Sequence, residues 1–338
     1  MICNKEVLDL RRKVTLFLIG LMIIAMVSVG CSNSLKAEKN NPQNNNEDAN
    51  DLTVAVSVIP QEAFVKAVAG DLVNVVTMIP PGNSPANYQP TPKELEDFSN
   101  SSIYFSIGVP TEEANILPKA KDLNNDIKVV SLADKVGEVY PHRFFSEDEA
   151  HEHDEHDEHD EEDDHDDIDH EEDHHHEGRD PHIWLSPKRV RVMINVIRDE
   201  LTALDPSNKE IYEENAENYI QELDSVDQEI KDILSGVDQQ SFIIYHPSFG
   251  YFADDYGLNM VSIEESGKEA TMKRLQYVID YAKENNIKFV FYQAEFDSQQ
   301  ARTIADEING EVIQVNPLAF DYIDNMKKIA EKFNNILQ

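Results

Sequence analysis

Between Pro206 and Leu234 the apolar residues Tyr212, Ala216, Tyr219, Leu223, Val226, Ile230 and Ile233 recur every three or four positions. That spacing draws one continuous stripe along a helix. Asp205-Pro206 supplies a start, acidic residues occupy the early turns, and Gly236 supplies a stop. A helix of about 28 residues is roughly 42 Å long. That exceeds the needs of one small lobe, so the stripe predicts a rod shared by two.

The flanking sequence supports two lobes. Residues 52–58, 75–79, 103–107 and 128–132 are short β-rich apolar runs, with helical patterns at 61–68 and 92–98 between them. After the stripe, 241–245, 260–263, 288–292 and 311–315 read as strands, and 275–284, 299–308 and 322–336 read as helices. Strands alternating with helices predict parallel sheets. The expected architecture is α/β: two lobes, each a parallel sheet flanked by helices, bridged by one long rigid helix. The lobes are placed at 52–205 and 237–338, with the linking helix at 206–236.

The first 51 residues have a different character. Arg11, Arg12 and Lys13 precede an apolar run over 14–29, broken only by Thr15, Gly20 and Ser28. Sixteen residues fall short of the roughly 20 that span a bilayer as a helix, so the run reads as a secretory signal. Gly30 precedes Cys31, an arrangement that resembles a lipoprotein cleavage site, although Ser28 stands where an aliphatic residue is usual. Residues 1–31 are read as a lipoprotein-type signal peptide, with lipidation at Cys31. An uncleaved anchor helix is the alternative, and both place the rest outside the cytoplasm. Residues 32–51 are rich in Asn, Glu and Lys and read as a flexible tether. The only other cysteine is Cys3, so no disulfide is expected in the folded part.

The formal charge of −37 is unevenly spread. Residues 147–177 hold 20 acidic residues and no Lys or Arg; without them the chain carries −17. A chain this acidic argues against a nucleic-acid partner, and its field favours cations. The same tract contains nine histidines: His151, His153, His156, His159, His165, His170, His174, His175 and His176. With Ala150 and Ile168 as its sole apolar residues, it is expected to be a disordered loop interrupting the first lobe. Imidazole and carboxylate together bind zinc, nickel or copper with little selectivity, so the loop reads as a collector of metal ions. His170-Glu171-Glu172-Asp173-His174 matches the H-E-x-x-H pattern of zinc proteases. In so biased a segment, without an apolar face for a catalytic helix, that match is expected by chance.

In open α/β sheets, ligands bind beyond the carboxyl ends of the strands. His246 closes the run at 241–245, and Asn316 closes 311–315. Asp180-Pro181-His182 leaves the acidic tract and enters Ile183-Trp184-Leu185. His182 and His246 thus come from different lobes. Two imidazoles across a cleft would form the core of a zinc-type site.

At these residues the chain resembles the metal-specific solute-binding proteins of ABC importers, those for zinc and manganese. The resemblance runs from about Leu52 to the C-terminus. It includes Pro80-Pro81-Gly82, Tyr88-Gln89-Pro90-Thr91-Pro92, Asp180-Pro181-His182-Ile183-Trp184-Leu185-Ser186-Pro187, Leu204-Asp205-Pro206, His246-Pro247-Ser248-Phe249-Gly250-Tyr251-Phe252 and Tyr256-Gly257-Leu258. The His-rich acidic tract before Asp180 is similar to the loop of the zinc branch. The resemblance implies a bilobed fold with a bridging helix, and metal ligands at His182 and His246. Two further family ligands are missing. A histidine expected after Pro85 is replaced by Ala86, and a carboxylate expected before Pro317 is replaced by Asn316. Alanine cannot coordinate, and a neutral amide is a poor zinc ligand beside carboxylate. Asn87, Gln89, Glu264, Glu265, Glu295 and Asn316 are the candidates to complete the site, and the sequence does not rank them.

The function this implies is capture of a divalent transition metal, zinc first with manganese or another ion as the alternative, for delivery to an ABC permease. The expected setting is the outer face of the cytoplasmic membrane, through the Cys31 anchor, as a monomer. A surface metal buffer or adhesion-type protein without transport is the first alternative. A metallohydrolase is the second, and no general base or other catalytic constellation points to one.

Overall fold

A computed structural model describes residues 52–145, 178–264, 268–296 and 299–338. The signal segment, the tether, Cys31, the nine tract histidines and Glu265 lie outside the described residues.

The first sheet is built from β1 (Thr53–Val56), β2 (Asn74–Thr77), β3 (Ile103–Ser106) and β4 (Lys128–Ser131), in the order β2-β1-β3-β4. The second is built from β5 (Ser241–Ile244), β6 (Asn259–Ser262), β7 (Phe289–Gln293) and β8 (Glu311–Val315), in the order β6-β5-β7-β8. Every pairing in both is parallel. The two sheets therefore repeat one topology, with the first strand of each series in an interior position. Ile103, Tyr104 and Phe105 in β3, and Phe242, Ile243 and Ile244 in β5, are all fully buried. Helices cover both faces of such a sheet, which is why these strands read as unbroken apolar runs.

In the first lobe the helices are α1 (Ile59–Ala69), α2 (Pro92–Ser99), α3 (Leu117–Leu123), α4 (Leu132–Gly137) and α5 (Pro187–Leu204). Thr91 caps α2: its hydroxyl accepts from Glu94 N–H, and the Glu94 carboxylate accepts from Thr91 N–H at 2.6 Å. This reciprocal pair satisfies two helix-end donors at once.

The long rod is α6 (Lys209–Leu234), preceded by one 3-10 turn, Pro206–Asn208. The helix starts three residues later than its stripe suggests. Asp205 accepts from Asn208 Nδ2 and the Tyr212 hydroxyl, and ties down a tighter first turn. In the second lobe the helices are α7 (Gly250–Tyr256), α8 (Met272–Glu284), α9 (Gln299–Glu307) and α10 (Tyr322–Leu337). Gly257 ends α7 in the left-handed region (φ 71°), with Leu258 N–H donating back to Ala253 O at 2.9 Å. Glycine takes that conformation without a Cβ penalty.

Both sheets belong to a single compact unit, Asp48–Gln338. The reason is a shared core. Asn215 of α6 donates to Val68 O in the first lobe at 3.0 Å, and Asp227 of α6 accepts from the Tyr256 hydroxyl in the second at 2.8 Å. The lobes also touch directly, where Phe64 of α1 meets Tyr322 of α10 edge to face with ring centroids 5.0 Å apart. One apolar cluster runs from Val54 through Leu223 to Phe333.

Candidate metal centre

His246 lies two residues past the end of β5. Ile244 is in register with Ser262 of β6 and with Phe291 of β7. Two residues further along each parallel strand, that register brings Glu264 and Gln293 to either side of His246. The contacts follow. His246 Nδ1 lies 2.7 Å from Glu264 Oε2. On the other flank, Gln293 accepts from His246 N–H at 3.3 Å and donates to His246 O at 2.7 Å. Gln293 also donates to Ser248 Oγ at 2.7 Å and is fully buried. The backbone of His246 is thus held from a neighbouring strand, and its ring from the other. Phe296 covers the ring, stacked at 4.5 Å between centroids and 19° from parallel.

His182 follows the His-rich tract. Asp180 Oδ1 lies 2.8 Å from His182 Nδ1 and also accepts from His182 N–H at 3.0 Å. Asp180 is fully buried, and its other oxygen accepts from Arg143 at 3.2 Å. Across the tract, Phe145 N–H donates to Gly178 O and Asp180 N–H donates to Arg143 O, both at 2.8 Å. The described residues on either side of the acidic tract, 143–145 and 178–180, therefore pair beside the carboxylate that holds His182. Tyr251 of α7 closes this corner by accepting from Arg143 N–H at 2.9 Å and donating to Asp180 O at 3.1 Å.

The two imidazoles meet, with His246 Nε2 3.2 Å from His182 Nε2. A carboxylate only accepts, so Asp180 and Glu264 each place a proton on the Nδ1 they face. That leaves both Nε2 lone pairs of a neutral pair pointing at one another. Burial holds the His182 imidazole below its ordinary pKa and so favours the neutral ring, against the pull of Asp180 toward the charged form. Zinc–nitrogen bonds of about 2.0–2.1 Å at a tetrahedral angle separate two ligand nitrogens by about 3.3–3.4 Å. The observed pair stands within a few tenths of an ångström of that separation. A carboxylate on the far nitrogen of each metal-binding imidazole is the usual support for such ligands.

Among the described residues, no three His, Cys, Asp or Glu groups stand together as a ready cluster. The other sequence candidates are placed as follows. Glu264 is committed to His246. Asn87 and Gln89 are exposed on the segment after β2, where Ala86 is half-buried. Asn316 follows β8, and its side-chain oxygen accepts from Leu318 N–H at 3.0 Å. Glu295 lies on the turn after β7, next to Phe296, with burial raising its carboxyl above the ordinary range. The roles of Asp180, Arg143, Gln293 and Phe296 were not assigned from sequence. Asp180 alone had a local signal, two residues before a histidine.

The family model for ZnuA, the periplasmic component A of a zinc-uptake complex, matches residues 54–336. The chain belongs to the ZnuA family. It is 31% identical over 333 residues to the zinc-binding lipoprotein AdcA of Streptococcus pneumoniae, a match covering 97% of this chain and 59% of AdcA. The chain thus spans less than two thirds of that relative. It is 28% identical to the high-affinity zinc uptake system protein ZnuA of Bacillus subtilis, over 94% of this chain and 97% of that protein. A crystal structure of ZnuA superposes with a TM-score of 0.74 at 33% identity, covering 85% of this chain and 99% of the other. Membership of the family fits a bilobed α/β fold whose two facing histidines come from opposite lobes.

Proposed function

We propose that this protein captures a zinc ion between His182 and His246 and hands it to the permease of an ABC importer outside the cytoplasm. The observation that carries the reading is the 3.2 Å approach of the two Nε2 atoms, each imidazole backed by its own carboxylate. Imidazole nitrogen suits zinc better than manganese, whose preferred donors are carboxylate, carbonyl and water oxygens. The AdcA and ZnuA relatives bear names of zinc binding and zinc uptake, in keeping with that choice. The protein acts as a monomer tethered through lipid at Cys31. The nine tract histidines gather ions for the cleft, since the residues flanking the tract in sequence, Phe145 and Gly178, pair two residues from Asp180. Because one core joins the lobes, release into the permease proceeds by small movements of the strand-end segments rather than by wide opening.

The test is calorimetric zinc titration of the protein with and without residues 147–177, beside His182→Ala and His246→Ala. The cleft reading expects one tight zinc in both forms, lost in either histidine variant. Tight binding that disappears with the tract and ignores both substitutions would leave a tract-borne metal buffer and no cleft site.

A further inference from the structure

We infer that Glu295 is the carboxylate that completes the cleft site, in place of the ligands lost at Ala86 and Asn316. This rests on the reading of the cleft as the zinc site. Two imidazoles leave the charge of a dication uncancelled and fall short of the three or four ligands of a stable zinc centre. Ala86 offers a methyl group, and the Asn316 side-chain oxygen is engaged by Leu318 N–H. Asp180 and Glu264 each accept from an imidazole Nδ1, so they orient the rings. Glu295 differs from both. Its Oε2 is buried and accepts no hydrogen bond among the described residues. A buried carboxylate oxygen without a donor carries a desolvation cost that a proton or an arriving cation offsets.

The position of Glu295 follows from β7. Gln293 grips the backbone of His246, Phe296 lies flat on its ring, and Glu295 sits between these two contacts. Phe296 N–H donates to Gln293 O at 3.2 Å, which closes the turn. The turn is therefore fixed to His246 on either side of Glu295, and His246 is near enough to act electrostatically on its carboxyl. No described trio of ligands is preassembled. Glu295 thus reaches the ion by rotating its own side chain once zinc bridges the imidazoles, while the backbone of the turn stays in place.

The experiment uses the full chain. Zinc affinity of the tight site is measured by competition with a chromophoric chelator strong enough to strip weak tract sites. Cobalt(II) is the spectroscopic probe of coordination. Glu295→Gln is expected to weaken tight zinc binding at least tenfold and to alter the visible cobalt bands, while the metal-free variant melts no lower than wild type. Glu295→Asp, which keeps the charge with a shorter reach, should retain the cobalt bands at reduced affinity. Wild-type affinity and an unchanged cobalt spectrum in Glu295→Gln, with tight binding still lost in His182→Ala, would overturn this inference alone. If His182→Ala also binds normally, the cleft reading fails and takes this one with it. A variant with weaker binding, a lower metal-free melting temperature and unchanged cobalt bands would show Glu295 to be a structural residue.

Discussion

The indole nitrogen of Trp184 donates to the carbonyl of Pro317 at 2.9 Å, across 133 positions of sequence. Trp184 belongs to the segment that carries His182, and Pro317 follows the last strand of the second sheet. This bond therefore pins one wall of the cleft to the other at the level of the proposed metal site. The Trp184 ring also lies 5.2 Å from the His182 ring, centroid to centroid. Trp184 is the chain's only tryptophan and is fully buried. Zinc entering the cleft is expected to change its fluorescence emission, and His182→Ala is expected to abolish the change. Trp184→Phe strands a buried carbonyl, at a cost of about 1–3 kcal/mol, readable in a urea denaturation curve.

The two carboxylates behind the imidazoles should prove separable. Glu264→Gln removes the charge on His246 Nδ1 and touches little else, so zinc affinity should fall about 10- to 100-fold with a nearly unchanged melting temperature. Asp180→Asn should lose comparable affinity and also melt lower. Asp180 is fully buried, pairs with Arg143, and receives Tyr251 on its backbone carbonyl. Chelator competition beside thermal denaturation checks both. Equal melting losses in the two variants would contradict this division.

The interior strands were legible because burial on both faces leaves apolar runs, as in Ile103–Ser106 and Ser241–Ile244. The helix Pro187–Leu204 was not. Arg189 interrupts its apolar side and is nevertheless buried, because Asp255 accepts from its guanidinium at 2.9 and 3.0 Å and the Tyr251 ring lies 4.5 Å from it. A charge that only a distant partner neutralises cannot be recognised as interior from its neighbours in sequence. The site divided in the same way. His246 was visible as a polar residue ending one apolar run, and His182 as a polar residue entering another. That Glu264 and Gln293 flank His246 depends on strand register, which local sequence does not encode.

One core shared by two sheets should unfold as one. Phe64 of the first lobe packs edge-on against Tyr322 of the second and tilted against Tyr219 of the linking helix, with the latter centroids 6.4 Å apart. Phe64→Ala should cost about 3–5 kcal/mol. It should lower a single calorimetric transition rather than split it into two. Two resolved transitions in the wild type would show that the lobes melt independently.

A further buried acid gives the stability a pH dependence of its own. Glu112 is fully buried, and burial raises its carboxyl from 4.5 to about 7. It still accepts from Ile107 N–H at 2.8 Å, from Gly108 N–H at 2.6 Å and from the Ser57 hydroxyl. Between 4.5 and about 7 the folded chain keeps a proton that the unfolded chain has released. Stability must therefore fall as pH rises through that window, and the whole cost is present above it. A shift of this size corresponds to about 3 kcal/mol. Glutamine fits the same pocket: its oxygen can take both N–H groups, and its amide can donate to Ser57. Glu112→Gln should thus match wild type near pH 5 and exceed it near pH 8, as read by urea denaturation at both values. A constant difference between the two proteins across that range would show that Glu112 does not titrate there.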